Sequence, residues 1–238
     1  MNNSSDVSQN AFYQAYDRRG QGTVLKTKHI RQFRNDFVRS AGFSSHMSVL
    51  ELGCGNGLFL KFLKHEGVRD FLGVDGDARV KGEMPEDIAA HVQIDNFADF
   101  FAACKDRTFD RIVLFDVLEH FAPEDAVALL SDIRRLLADD GRVVLRVPNM
   151  SSPLGLAVQY NDMTHLSAFT PGSLRQVASL AGFDAVSFGP QAYTSAFREF
   201  RERLLTRVLS WFLAMPPQIW SPNFIAVLKK TAADGGSD

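Results

Sequence analysis

The chain has 238 residues, 45% of them hydrophobic and 23% charged, with a formal net charge of −2. That is enough apolar material for a sizeable core, and the faintly acidic balance argues against a partner held through its phosphates, so nucleic acid is not expected. Two cysteines, Cys54 and Cys104, with no CxxC pair, exclude a zinc ribbon and a disulfide framework.

The opening MNNSSDVSQN is polar and lacks the apolar stretch of a secretory signal. No run of about eighteen apolar residues is present, so no membrane-spanning helix is expected and a cytoplasmic protein is the simplest reading. Residues 1–44 read as an N-terminal helical extension, broken around Gly20-Gln21-Gly22, with Ile30, Phe33, Phe37 and Val38 on one face. The main domain is expected over 45–230, followed by a tail at 231–238.

Within that domain Ser48–Leu52 predicts a buried strand that turns through Gly53-Cys54-Gly55-Asn56-Gly57 into a helix reaching Lys64. Further strands are expected at Phe71–Val74, His91–Ile94, Arg111–Phe115, Arg142–Val147, Ala185–Phe188 and Phe224–Leu228. Helices are expected at Glu124–Leu137, ended by Asp140-Gly141, and at Gly172–Ala181, closed by Gly182. Short apolar strands alternating with helices indicate a parallel α/β sheet covered on both faces. Two long connections, 149–171 and 190–222, interrupt the pattern on the side where ligands bind in such sheets.

The densest chemical signal is the strand that turns through three alternate glycines, 53, 55 and 57, into a helix. Glycine allows the tight turn and a close ligand approach, and the helix start offers unpaired N–H groups. Asp75, at the end of the next strand, stands about twenty residues on, where a carboxylate accepts ribose hydroxyls. The spacing is G-x-G-x-G rather than G-x-G-x-x-G, and Glu51 precedes it. Both favour a ligand with a cationic amino-acid end over a pyrophosphate. Cys54, set between two of the glycines, reads as a small buried hydrophobe. No phosphate-binding G-x-x-x-x-G-K-[ST] loop is present.

Four segments together resemble the class I S-adenosylmethionine-dependent methyltransferases. They are Glu51–Gly57, Gly73-Val74-Asp75, the run Phe109–His120 that holds Asp116-Val117-Leu118-Glu119-His120, and Leu137–Leu145. The resemblance covers roughly residues 45–190. It implies a doubly wound, Rossmann-like fold with a seven-stranded, mostly parallel sheet and an antiparallel last strand. It also implies S-adenosylmethionine as cofactor and S-adenosylhomocysteine as product. Glycines 53, 55 and 57, with Cys54 and Asn56, would surround the methionine end, and Asp75 the ribose. Asp95, Asn96 and Phe97 would lie beside the adenine, with Asp116, Val117 and His120 on the wall near the sulfonium.

Methyl transfer to a hydroxyl also requires a base, and histidine suits that role near neutral pH. His165, with Asp162 nearby to orient its ring, lies in the connection after the Arg142–Val147 strand and is the expected catalytic residue. The plainer alternative is a loop histidine bonded to local backbone. The stretch Pro148-Asn149…Tyr160-x-Asp162-x-Thr164-His165…Phe169-Thr170 resembles methyltransferase-like proteins of bacterial glycan and lipopolysaccharide assembly, and the ubiquinone-pathway O-methyltransferases. That implies O-methylation of a sugar, glycan or lipid-linked acceptor. Nitrogen or carbon acceptors on other small metabolites, and a non-catalytic cofactor-binding scaffold, stay open. No metal site is expected. Residues 196–220 form an amphipathic segment whose apolar face holds Phe197, Phe200, Leu204, Leu205, Val208, Trp211 and Phe212. This face is expected to pack on the domain, as a lid or at a dimer seam, with an anionic membrane surface as the alternative.

Overall fold

The computed structural model describes residues 24–232. The expected break near Gly20 and the last six residues lie outside that range. Seven strands form one sheet: β1 (Val49–Leu52), β2 (Phe71–Asp75), β3 (Val92–Ile94), β4 (Phe109–Phe115), β5 (Leu137–Pro148), β6 (Phe183–Pro190) and β7 (Asn223–Lys230). Their order is β3-β2-β1-β4-β5-β7-β6. The first five pair in parallel, whereas β7 runs antiparallel to both β5 and β6. This is the expected doubly wound sheet with an antiparallel last strand. Chain order reverses between β1 and β4, which opens a crevice beyond their carboxyl ends.

Strands β1 and β4 are apolar because both faces are covered: all four residues of β1 are buried, and Ile112, Val113 and Leu114 are fully enclosed. One face is sealed by α5 (Pro123–Leu136) and α7 (Pro171–Leu180), through Leu130, Ile133, Leu174 and Ala178. The other is sealed by α1 (Thr27–Phe33), the π-helical turn Arg34–Arg39 and α2 (Leu58–His65). There Phe33, Phe37, Phe59 and Phe62 pack ring against ring with centroids 5.1–5.7 Å apart. The predicted face of the N-terminal extension is therefore part of the main core.

Between β2 and β4 lie α3 (Glu86–Ala89) and α4 (Phe97–Ala103). The long connections carry α6 (Leu156–Tyr160) and α8 (Ala196–Phe212). They are stitched together where the buried Asn149 amide donates to the Ile219 and Ser221 carbonyls at 2.8 and 3.1 Å. The strand after α5 begins at Leu137 rather than Arg142. Leu137 pairs with Phe109, and the register shifts before Arg111 pairs with Arg142. A tertiary pairing thus takes a polar stretch that reads locally as a turn.

The expectation that α8 packs its apolar face on the domain is overturned. No residue of this helix is buried, and Phe197, Phe200, Trp211 and Phe212 are 67–80% exposed. The residues turned inward are polar: Glu199, Glu202, Thr206 and Ser210 are the half-buried ones, spaced along a single face. Glu199 meets Arg31 at 3.1 Å, and Ser210 accepts from the Trp220 indole at 3.1 Å. The helix is docked with its amphipathy inverted.

Candidate functional site

A cleft of about 1030 Å³ opens beyond the carboxyl ends of β1, β2 and β4. Glu51, Gly53, Cys54, Gly55, Asn56 and Asp75 line one end. Phe97, Asp116, Val117, His120, Asp162 and His165 line the rest. Three other expected residues do not reach it. Gly57 caps α2, Asn96 caps α4 by accepting from the Asp99 N–H at 2.9 Å, and Asp95 accepts from the Gln93 amide at 3.3 Å.

The glycine turn has a physical cause at each position. Gly53, Gly55 and Gly57 take φ of 72°, 51° and 70°, a region disfavoured by side chains. A Cβ on Gly53 would stand 2.5 Å from Val117 Cγ2, whereas one on Gly55 would meet no atom within 4 Å. Gly53 therefore answers to packing, and Gly55 keeps the cleft clear. Asp75 fixes the turn by accepting from the Gly55 and Asp77 N–H groups at 2.8 and 2.9 Å. A carboxylate offers about four acceptor positions, so both oxygens can also take ribose hydroxyls. Cys54 is buried and would contact any side chain placed at Gly73, in keeping with a packing role.

Glu51 is 4% exposed, and its Oε2 has no hydrogen-bond partner. Burial pushes its carboxyl well above the usual range, Arg146 draws it down, and Asp75 raises it further. Such a group fits a cationic ligand end, which would compensate the charge that burial disfavours. Arg146 is a wall residue that sequence reasoning missed. Its Nε donates to Asp116 Oδ1 at 2.8 Å, a second bond joins the same carboxylate, and the guanidinium lies 4.7 Å from the Phe115 ring centre. Burial, the largest single influence, opposes its charge, but the carboxylates of Asp116, Asp36 and Glu119 together outweigh it and hold Arg146 above its ordinary value. Asp116 adopts φ 59°, the only positive value at a non-glycine position among the described residues. A lone arginine within the apolar Val143–Val147 run was the available signal, because a buried charge requires a partner.

At the far end, Leu166 and Ser167 donate their N–H groups to the Glu119 carbonyl at 2.8 and 3.0 Å. This stitch brings the 149–171 connection against the 3₁₀ turn Leu118–His120. His165 and His120 thereby meet edge to face, ring centres 4.7 Å apart. Asp162 does not orient the His165 ring as expected: its Oδ2 stays 3.8 Å from Nε2. The ring is held by Nδ1, 2.9 Å from the Gln159 carbonyl. A carbonyl only accepts, so Nδ1 carries the hydrogen and Nε2 the lone pair. The local backbone bond and the place in the cleft thus coexist. Burial, then His165, lowers the His120 pKa. The adjacent Glu119 carboxyl is pushed well above its ordinary range by burial and then by Asp116.

Among the described residues no helix is long and apolar enough to cross a membrane. No curated protein matches the chain. Several solved structures share its fold. A SAM-dependent methyltransferase from Archaeoglobus fulgidus is 21% identical, with TM-score 0.65, over 92% of this chain and 99% of that one. A putative methyltransferase in complex with the Haloferax volcanii Trm112 activator is 16% identical, with TM-score 0.68, over 96% and 100%. CalO1, a calicheamicin-biosynthesis methyltransferase in its SAH-bound form, is 19% identical, with TM-score 0.55, over 85% and 54%. At these identities the likeness establishes the fold. Residues 25–187 match the profile of a family described as a methyltransferase domain. With that match spanning more than half of the sequence, the chain belongs to the methyltransferase-domain family.

Proposed function

We propose that the chain transfers a methyl group from S-adenosylmethionine to a hydroxyl of a sugar, glycan or lipid-linked acceptor. The observation that carries this reading is the layout of one cleft, with the glycine turn, Glu51 and Asp75 at one end and His165 at the other. The bound donor supplies an electrophilic methyl on a sulfonium. Glu51 and the glycine turn hold the amino-acid end, Asp75 the ribose, and Phe97 the base. Asp116 and Val117 form the wall between donor and acceptor, which aligns the two and excludes water. Nε2 of His165 is the atom placed to take the acceptor's proton.

Titration calorimetry with S-adenosylmethionine, S-adenosylhomocysteine and NAD tests the donor. Binding of the two sulfur nucleotides alone is expected, and Asp75→Ala should weaken it by at least ~1 kcal/mol, the scale of a lost hydrogen bond to a charged group. Binding of NAD, or an unchanged Asp75→Ala, would overturn the assignment.

The inverted α8 supports a lipid-linked acceptor. Its exposed Phe197, Phe200, Trp211 and Phe212 share the helix with Arg198, Arg201, Arg203 and Arg207, the pattern of a helix lying on an anionic bilayer. Vesicles containing phosphatidylglycerol should co-sediment the protein, and phosphatidylcholine vesicles much less. A Trp211→Ser, Phe212→Ser variant should stay in solution. Equal partitioning of variant and parent would remove the membrane, leaving a second copy or a protein partner as the occupant of that face.

A further inference from the structure

We propose that Glu119, His120 and His165 form a site for one divalent transition-metal ion at the acceptor end of the cleft. Each of the three offers one ligand atom, and those atoms lie within 4.8 Å of one another. Metal–nitrogen and metal–oxygen bonds of ~2.0–2.2 Å place ligand atoms roughly 3–4 Å apart, so a modest contraction closes the set. The independent sign is Glu119. Its side chain is 1% exposed, Oε1 lies 4.0 Å from His165 Nε2, and neither oxygen has a hydrogen-bond partner. A carboxyl taken from water without a partner is disfavoured, and a cation beside it offsets that cost.

The surroundings are those that orient metal-binding imidazoles. His165 is held through Nδ1 by the Gln159 carbonyl, which presents the Nε2 lone pair toward Glu119. Thr164 donates its hydroxyl to Asp162 Oδ1 at 2.6 Å, so at 2.9 Å from His120 Nδ1 the same oxygen accepts. His120 therefore also carries its hydrogen on Nδ1 and its lone pair on Nε2. Two imidazoles with one carboxylate suit manganese, iron, cobalt or zinc better than magnesium or calcium. His120 and His165 line the cleft, which leaves the cation a side open to the acceptor.

This rests on the O-methyl transfer proposed above and names what activates the hydroxyl there. A hydroxyl bound to the cation becomes acidic enough for a carboxylate to deprotonate. With the cation bound, His165 Nε2 gives up the role of base assigned to it above and serves as ligand, and Asp162 Oδ2, 3.8 Å from it, takes that proton. The acceptor oxygen then bonds the methyl carbon while the carbon–sulfur electron pair stays on sulfur, leaving a neutral thioether.

The test is titration of the chelator-treated full chain with zinc and manganese chlorides, alongside the absorption spectrum with cobalt(II). One equivalent should bind, with visible cobalt bands from nitrogen ligation. Glu119→Gln and His165→Ala should each bind more than ~10-fold more weakly. Wild-type protein that binds no more tightly than a His120→Ala, His165→Ala double variant would overturn the site. Calorimetry with S-adenosylhomocysteine on the same preparations separates the two readings. Nucleotide binding without cation binding refutes the metal alone, and cation binding without nucleotide binding refutes the methyl donor while the metal site stands.

Discussion

Gly53 and Gly55 share a backbone conformation but not a reason for it, and the pair can be taken apart by experiment. Alanine in the left-handed region costs ~1–2 kcal/mol at either position. At Gly55, φ 51°, a methyl group meets no atom within 4 Å. Part of the strain there is offset by ~0.4–1 kcal/mol through the stiffer unfolded chain, for a net cost of about 1 kcal/mol. At Gly53, φ 72°, the methyl carbon lies 2.5 Å from Val117 Cγ2, and Val117 is packed in the core. Displacing it adds ~1–3 kcal/mol of overpacking to the same net cost, for a total of ~2–4 kcal/mol. Ligand binding should rank the other way. Gly55 lines the cleft and donates its N–H to Asp75, so a methyl group there occupies ligand space while the fold persists. Urea denaturation and calorimetry with S-adenosylhomocysteine measure the two effects separately. A Gly55→Ala protein that binds normally, or a Gly53→Ala protein within about 1 kcal/mol of the parent, would refute the division of labour.

Further outcomes follow from the buried charges. Asp36 is 2% exposed; burial raises its pKa from 3.8 to about 6, against the Ala192 N–H and Arg146, which lower it. The folded form therefore binds its proton more tightly, so stability falls as pH rises from about 3.8 and the full cost, about 3 kcal/mol, is present above pH 6. Asp36→Asn should recover up to that amount at pH 8 and flatten the slope between pH 4 and 6 in denaturant titrations; an unchanged slope rules the assignment out. Glu51 is likewise raised by burial, so a cationic ligand that favours its anion should release protons on binding and gain affinity with pH. Calorimetry in buffers of different ionisation enthalpy detects that release, and Glu51→Gln should abolish it; release that persists in the variant would place the proton elsewhere. Arg146 lowers the pKa of both acids, so Arg146→Met should raise the Asp36 midpoint above 6 and steepen the loss of stability with pH.

The glycine turn and Asp75 were legible because their signals are local: a strand, a sharp turn and a helix start within one segment. The parallel, doubly covered sheet followed from alternation, and the antiparallel last strand from the resemblance. What escaped depended on contacts distant in sequence. The Leu137 strand start needs Phe109 as its partner, and the Ala138–Gly141 stretch alone reads as a turn. His165 was found as a base candidate, but its neighbours Glu119 and His120 stand more than forty positions away. They are joined to it by N–H bonds of Leu166 and Ser167 onto the Glu119 carbonyl, which no side-chain pattern encodes. For α8 the periodicity gave the two faces correctly. It could not say which face would be inward, because amphipathy fixes a direction only relative to a surface supplied by something else.

The charge distribution links these features. Asp36, Glu51, Asp75 and Glu119 are buried around the cleft, with Asp116 beside them, and Arg146 is the cation set among them. A protein interior bears such an excess of acid only where it lowers the free energy of another state. On the proposed reading, that state at the glycine end holds the ammonium and sulfonium of the donor. At the histidine end, two imidazoles held through Nδ1 stand beside a Glu119 carboxyl that has no hydrogen-bond partner. The buried, unpartnered carboxyl of Glu119 is the group that the proposed cation would balance, at the end of the cleft where the proposed O-methyl transfer takes a proton from the acceptor.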